Sequence, residues 1–192
     1  SVYAADAMAV LAEQIDADIA ALYSGLSQTI TATAGLSETT FREARRLLNA
    51  AKAPLENRYA VLHEDAEYEM LGIEKVVNRD YAESLGSKAA GAFTGRFMGF
   101  DVFLDQKIVT TGSQCKNLFF HKNAIVMANR PLPVAPAGQG VNQRVMAEDG
   151  IAIRVTMSYD HDYLGAKFTL DTLYGVAEMR DSHGVAVSTT EI

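Results

Sequence analysis

Cysteine is nearly absent: Cys115 is the only one in 192 residues, which excludes an internal disulfide framework and a multi-cysteine zinc or iron–sulfur site. Long apolar runs are missing too. Stretches such as Ala7 to Ala12 fall far short of the roughly 20 residues a membrane-spanning helix needs, and acids interrupt the helical ones. No Lys or Arg precedes Arg42, whereas Asp6, Glu13, Asp16, Asp18 and Glu38 give the first 41 residues a net charge of −5. The whole chain carries −7, which argues against a protein whose main task is nonspecific grip on a phosphate backbone. Ser1 to Gly25 lacks a basic leader followed by a continuous apolar run, so no secretory signal is expected there. A helical pattern starts at once after Ser1, and the natural chain is expected to extend upstream. At 48% hydrophobic and 21% charged residues, the composition is that of a globular chain with a core of its own.

Met8, Leu11, Ile15, Ile19 and Leu22 recur at spacings of three and four, which predicts a helix over Ala4 to Tyr23, about 30 Å long, with Gly25 as its stop. Ser27 to Gly35 reads as a loop or a short extended passage. Ser37 as N-cap, Glu38 in the first turn and the stripe Phe41, Ala44, Leu48, Ala51 predict a second helix ended by Pro54. Arg42, Arg45, Arg46 and Lys52 form its solvated basic face. Tyr59 to Leu62 reads as a buried strand leading into a short helix at Asp65 to Leu71, and Asn78 to Gly99 as a long surface loop. Strands are expected at Phe100 to Leu104, Ile108-Val109, Asn117 to Phe120 and Val185 to Val187. A short buried helix is expected at Asn123 to Ala128, and an irregular crossing at Pro131 to Gly140. Ile151 to Tyr159 and Lys167 to Tyr174 flank Asp160-His161-Asp162-Tyr163-Leu164-Gly165 as a long hairpin. Helices and strands in mixed order, without a βαβ rhythm or an internal repeat, give an α+β fold.

Catalytic patterns are missing. There is no Gly-x-Ser-x-Gly elbow and no Walker lysine, and Gly138-Gln139-Gly140 lacks the third glycine of a dinucleotide site. A thiol nucleophile needs a neighbouring base, and nothing in the sequence brings His63, His121, His161 or His183 to Cys115. Asp160, His161 and Asp162 have metal-ligand chemistry, yet an extended strand turns His161 away from the two carboxylates, so they read as a polar hairpin tip. Glu64, Asp65, Glu67 and Glu69 read as acids at a helix N-terminus. No catalytic, cofactor or metal residues are assigned. The rival reading is a small α+β enzyme with its site at Asp160, His161 and Asp162; a second rival is an interaction module with one stoichiometric partner.

In order along the chain, several motifs resemble the latter two-thirds of a tailed-phage major capsid protein of the Hong Kong 97 fold. Ala4 to Tyr23 looks like the spine helix. Ser37 to Ala53 with Pro54-Leu55-Glu56-Asn57-Arg58-Tyr59-Ala60-Val61-Leu62-His63 looks like the passage into the axial domain. Gly95-Arg96-Phe97-Met98-Gly99-Phe100-Asp101-Val102 resembles a recurrent Gly-x-x-x-Gly-Phe-x-Val stretch. Phe119-Phe120-His121-Lys122-Asn123-Ala124-Ile125 resembles the later strand and helix of that domain. Ile153 to Asp160 and Leu170 to Val176 resemble the hairpin of the peripheral domain.

The resemblance implies four segments: 1–53, spine helix and a peripheral-domain helix; 54–150, axial domain; 151–180, peripheral hairpin; 181–192, a strand returning to the axial domain. It also implies a structural, non-enzymatic subunit that self-assembles as pentamers and hexamers into an icosahedral shell around double-stranded DNA. Such a subunit belongs to the virion, is assembled in the host cytoplasm, contacts packaged DNA only weakly and has no membrane role. Scaffolding, portal and decoration proteins are its implied partners. Asp160, His161, Asp162, Tyr163 and Leu164 at the hairpin tip are implied to meet copies around three-fold positions, and the loop Asn78 to Gly95 to meet them around five- and six-fold positions. Asp16 and Asp18 are expected on the inner surface, repelling DNA. The family's N-terminal arm and extended loop are expected upstream of Ser1.

Overall fold

The computed structural model describes residues 2–73, 95–136, 141–148 and 151–191. Most of the expected surface loop, 78–94, and Gly138-Gln139-Gly140 lie outside the described residues. Two compact units emerge, one of residues 13–126 with 177–192 and the other of 1–12 with 127–176.

In the larger unit a mixed six-stranded sheet runs in the order β1-β11-β5-β2-β4-β3. Its strands are β1 (Gln28–Ala32), β2 (Arg58–Leu62), β3 (Arg96–Phe97), β4 (Phe100–Leu104), β5 (Gln114–His121) and β11 (Gly184–Thr190). β1 pairs parallel with β11 and β2 parallel with β4, whereas β5 is antiparallel to both its neighbours. Alternation along central β5 turns Cys115, Asn117, Phe119 and His121 to one face and Leu118 and Phe120 to the other.

The first of these faces holds the main core. Helix α2 (Glu38–Ala50) buries Thr40, Phe41, Ala44 and Leu48 there, three- and four-residue spacing that makes one stripe. Phe41 meets Phe97, Phe119 and Phe100 edge-on at centroid distances of 4.9, 5.0 and 6.4 Å. Ala66 and Met70 of α3 (Glu64–Leu71) close the same cluster. On the opposite face Leu26 covers Leu118 and Ala186. Because α2 packs on this sheet, it belongs to the larger unit.

Local rules explain the ends of α2. Ser37 caps it, its N–H donating to Thr40 Oγ1 at 3.4 Å. Lys52, at φ 59°, turns the chain into the left-handed region, and the N–H groups of Lys52 and Ala53 donate to the carbonyls of Asn49 and Leu48. This is a Schellman turn with lysine in the position glycine usually fills, so the helix stops at Ala50, before Pro54 is reached.

Helix α1 (Val2–Ala20) continues as a 3-10 turn, Ala21–Gly25. Ile15 and Ala20 are buried, whereas Met8 and Val10 are exposed, so the apolar stripe read from sequence is covered only toward its C-terminal end.

The smaller unit is built on an antiparallel sheet of β7 (Asn142–Glu148), β8 (Ile151–Asp160) and β9 (Gly165–Asp171). Strand β6 (Ile125–Arg130) pairs with β10 (Leu173–Glu178). Asn129 ties the unit together: its amide donates to Thr172 Oγ1 at 2.9 Å and its Oδ1 accepts from the Ala152 N–H at 2.7 Å.

Two sequence expectations fail. Asn123 to Ala128 is not a helix: Ala124 ends a turn after β5, and Ile125 to Arg130 alternate half-buried and exposed as a strand. The run Ala-Ile-Val-Met-Ala suits either state in isolation, and pairing with β10 decides between them. Ile108-Val109 is also not a strand, since pairing there is a single bridge, Thr110 with Cys115. β7 has no counterpart in the sequence reading because Asn142 to Glu148 lacks an apolar run.

Candidate functional site

The β7–β8–β9 register sorts side chains by face. Met157 lies opposite Asn142 on one side and Phe168 on the other, and Met146 is opposite Ile153. One face therefore carries Met146, Met157, Tyr159 and Phe168, each between 41% and 58% exposed. The other carries polar pairs: Arg154 with Asp171 through a forked contact, Gln143 with Thr156 at 3.0 Å, and Lys167 with Asp160 at 3.8 Å. Asn142 and the exposed Arg144 interrupt the apolar face, and exposed apolar area of this kind is characteristic of surfaces that meet a partner.

The hairpin tip lies where the sequence places it. β8 ends at Asp160, whose Oδ1 accepts the Asp162 N–H at 3.0 Å in an Asx turn. His161 rests edge-on against the Tyr159 ring, with centroids 5.1 Å apart. Tyr163 is 87% exposed, and Leu164 beside it is at φ 50°. The Asp160 carboxylate is thus occupied in shaping the turn, and the His161 ring in packing on Tyr159. Asp16 and Asp18 sit on α1. Partial burial and the nearby Asp105 carboxylate raise the Asp16 pKa above the ordinary carboxylate value, and Asp18 accepts a 2.8 Å hydrogen bond from Gln14.

A second cluster was not legible in the sequence. His63, the N-cap of α3, and Asp65, in its first turn, meet Cys115 of β5. Sγ lies 3.3 Å from His63 Nδ1 and 3.6 Å from Asp65 Oδ2, and Nδ1 lies 3.4 Å from Oδ2. The expectation that no histidine reaches Cys115 is therefore corrected. β2 and β5 are adjacent antiparallel strands, and that pairing brings the residue after β2 to the start of β5. Asn117, fully buried, fixes the junction: its Oδ1 accepts the His63 N–H at 2.7 Å while its amide donates to Val187 O and Thr189 Oγ1. Fifty residues separate the partners, and no local pattern announces such a meeting.

This cluster lacks the features that activate a thiol nucleophile. Burial raises the Cys115 pKa above the ordinary thiol value, and the Asp65 carboxylate adds to that, whereas an attacking thiol needs it lowered. Asp65 also stands at the same ring nitrogen as the thiol, so it does not orient the imidazole from the far side as in a catalytic triad.

A third group surrounds Arg58. The buried guanidinium donates to Pro54 O, Asn49 Oδ1 and Ala53 O, each at 2.8 Å. His121, opposite Arg58 in the β2–β5 register, stands edge-on to His183 at 5.9 Å. Burial and the neighbouring His183, Lys122, Arg58 and Arg180 lower its pKa below the usual histidine value.

The sequence profile of the phage capsid protein family matches residues 15–133, more than half of the chain. The chain belongs to the phage capsid protein family. Solved structures share its fold. A chain of Mycobacterium phage Che8 is 15% identical, with a TM-score of 0.69 over 96% of this chain and 61% of that one. The capsid of cyanophage P-SCSP1u is 14% identical, with a TM-score of 0.61 over 99% and 65%. The SrpI encapsulin complex of Synechococcus elongatus PCC 7942 is 15% identical, with a TM-score of 0.54 over 94% and 62%. A comparison with curated protein sequences gives no match. This phage capsid family chain thus spans under two-thirds of the length of the solved chains it matches. Family and fold agree with the α+β, Hong Kong 97-like expectation and point to a structural protein. Nothing in the hairpin tip of this capsid-family chain supports the rival enzyme reading.

Proposed function

We infer that this chain is the shell-forming part of a tailed-phage major capsid protein, whose copies assemble as pentamers and hexamers into an icosahedral shell enclosing double-stranded DNA. The observation that carries this reading is the exposed apolar face of β7–β8–β9 in a chain of the phage capsid family. An isolated subunit leaves that face wet, and contact with a second copy removes it from water. In this reading the larger unit is the axial domain, the hairpin belongs to the peripheral domain, and Asp160 to Leu164 meet copies near three-fold positions. The acids Asp16 and Asp18 on α1 line the interior. Portal, scaffolding and decoration proteins join the same shell in the virion, which forms in the host cytoplasm.

Negative-stain microscopy and light scattering of the full-length protein test this directly. Rings, capsomers or shells are expected, and Phe168→Asp with Met157→Asp should cut the assembled fraction while far-UV circular dichroism stays unchanged. A wild-type protein that remains monomeric or dimeric under all assembly conditions overturns the reading. So does assembly of the double variant at the wild-type yield, because the face then does not drive association.

A further inference from the structure

We propose that His63 Nδ1, Asp65 Oδ2 and Cys115 Sγ form a binding site for one divalent transition ion of the zinc class. The three atoms stand 3.3, 3.4 and 3.6 Å apart. Tetrahedral bonds of about 2.3 Å to a thiolate and about 2.0 to 2.2 Å to nitrogen or carboxylate oxygen set such ligand atoms about 3.3 to 3.6 Å from one another. The three ligand atoms thus already stand at the spacing of one triangular face of a coordination tetrahedron.

The local chemistry favours a cation. Nδ1 accepts the Asp65 N–H at 3.3 Å, which places its ring hydrogen on Nε2; an ion takes over that single lone pair, and the long bond from the Asp65 N–H gives way. The carboxylate brings lone pairs only, and the thiol brings one hydrogen for two acceptors, Nδ1 and Oδ2. When the ion binds, the metal–sulfur bond replaces the sulfur–hydrogen bond and the proton leaves to solvent. A thiolate and a carboxylate then balance a dication in a part-buried setting. Mixed sulfur, nitrogen and oxygen donors suit zinc or cobalt rather than magnesium or calcium, which prefer all-oxygen shells.

The frame is rigid where it needs to be. Asn117 holds the His63 backbone from one side, and Cys115 is locked in the central strand. The side chains of His63 and Asp65 retain 12% and 21% exposure, which gives an ion its way in and leaves a water as the fourth ligand. The ion would pin the start of α3 to β5 and so brace the junction of β2, α3 and the sheet.

Cobalt is the probe. Full-length protein freed of metal with a chelator is titrated with Co²⁺, followed by the near-ultraviolet thiolate-to-cobalt absorption, and zinc is then added as competitor. One cobalt per chain is expected, displaced by zinc. Cys115→Ser should abolish the absorption. Asp65→Asn and His63→Asn should each weaken binding by more than the about 10- to 100-fold that loss of a partner behind a metal ligand causes. His63→Asn keeps a good N-cap, so circular dichroism should show a folded chain and the loss reads as a lost ligand. A folded wild type without the absorption overturns the proposal, as does wild-type affinity in both His63→Asn and Asp65→Asn. Cobalt binding is read on unassembled protein, so its failure is separate from any failure of shell formation.

Discussion

Arg58 is the largest fully buried side chain among the described residues, and its guanidinium meets two backbone carbonyls and the Asn49 side chain rather than a carboxylate. Those carbonyls, of Ala53 and Pro54, belong to the turn between α2 and β2, so one planar fork closes the exit from the helix that carries Phe41. Arg58→Met removes three hydrogen bonds from a charged donor, each contributing about 1.5 to 3 kcal/mol, but also removes the cost of burying the charge. A net loss of about 2 to 4 kcal/mol follows, a large share of the roughly 5 to 15 kcal/mol that stabilises a domain. Arg58→Lys should be no better, because an ammonium keeps the burial cost while its shorter reach and tetrahedral donors do not span three acceptors. Urea unfolding of unassembled protein, followed by circular dichroism, should show midpoints lowered by about 1 to 2 M at typical slopes. Loss of less than about 1 kcal/mol in Arg58→Met refutes the reasoning. Full stability in Arg58→Lys refutes its second half, since charge rather than fork geometry would then suffice.

Two further outcomes follow from individual residues. Burial, with His183, Lys122, Arg58 and Arg180 adding to it, sets the folded pKa of His121 below its unfolded value of about 6.5, so its contribution is intact above that pH. Stability should fall as pH drops below about 6.5, by up to about 1.4 kcal/mol per unit until the folded pKa is passed, and His121→Gln should flatten that slope in urea midpoints measured across the range. Lys52 is exposed at φ 59° in a glycine position, so Lys52→Gly should raise stability by about 0.5 to 1 kcal/mol in the same assay; a decrease would show that the lysine side chain contributes more than its backbone strain costs.

Elements with a period of their own were legible in the sequence. The stripe of α2, the β-branched and aromatic runs of β8 and β9 and the polar tip between them needed no partner to declare themselves. Ile125 to Arg130 did not declare itself, because its state depends on β10, some 45 residues further on. The Cys115 cluster was illegible for the same reason: it is made by the register of β2 against β5, and sequence spacing within either strand carries none of it. The acids at the start of α3 show both sides of this. Glu64 and Glu67 fit the helix N-terminus as expected, while Asp65, equally well placed for that role, also has Cys115 across from it.

Polar and apolar residues are divided differently in the two units, and this bears on how a subunit of the proposed shell would be both stable and sticky. In the larger unit the central strand is covered on both faces, and buried polar groups such as Asn117 and Arg58 are bonded within the unit. In the smaller unit the polar face of the hairpin sheet is closed by its own ion pairs and amide bonds, and the apolar face is left over. A polar face left wet would cost little in an isolated subunit and drive little on contact, whereas wet methionine, tyrosine and phenylalanine contribute roughly 25 cal/mol for each square ångström that a neighbour covers. If the proposed shell forms, the hairpin sheet spends its hydrogen bonds on holding its own shape and offers its hydrophobic area to the neighbour, the allocation a self-assembling coat requires.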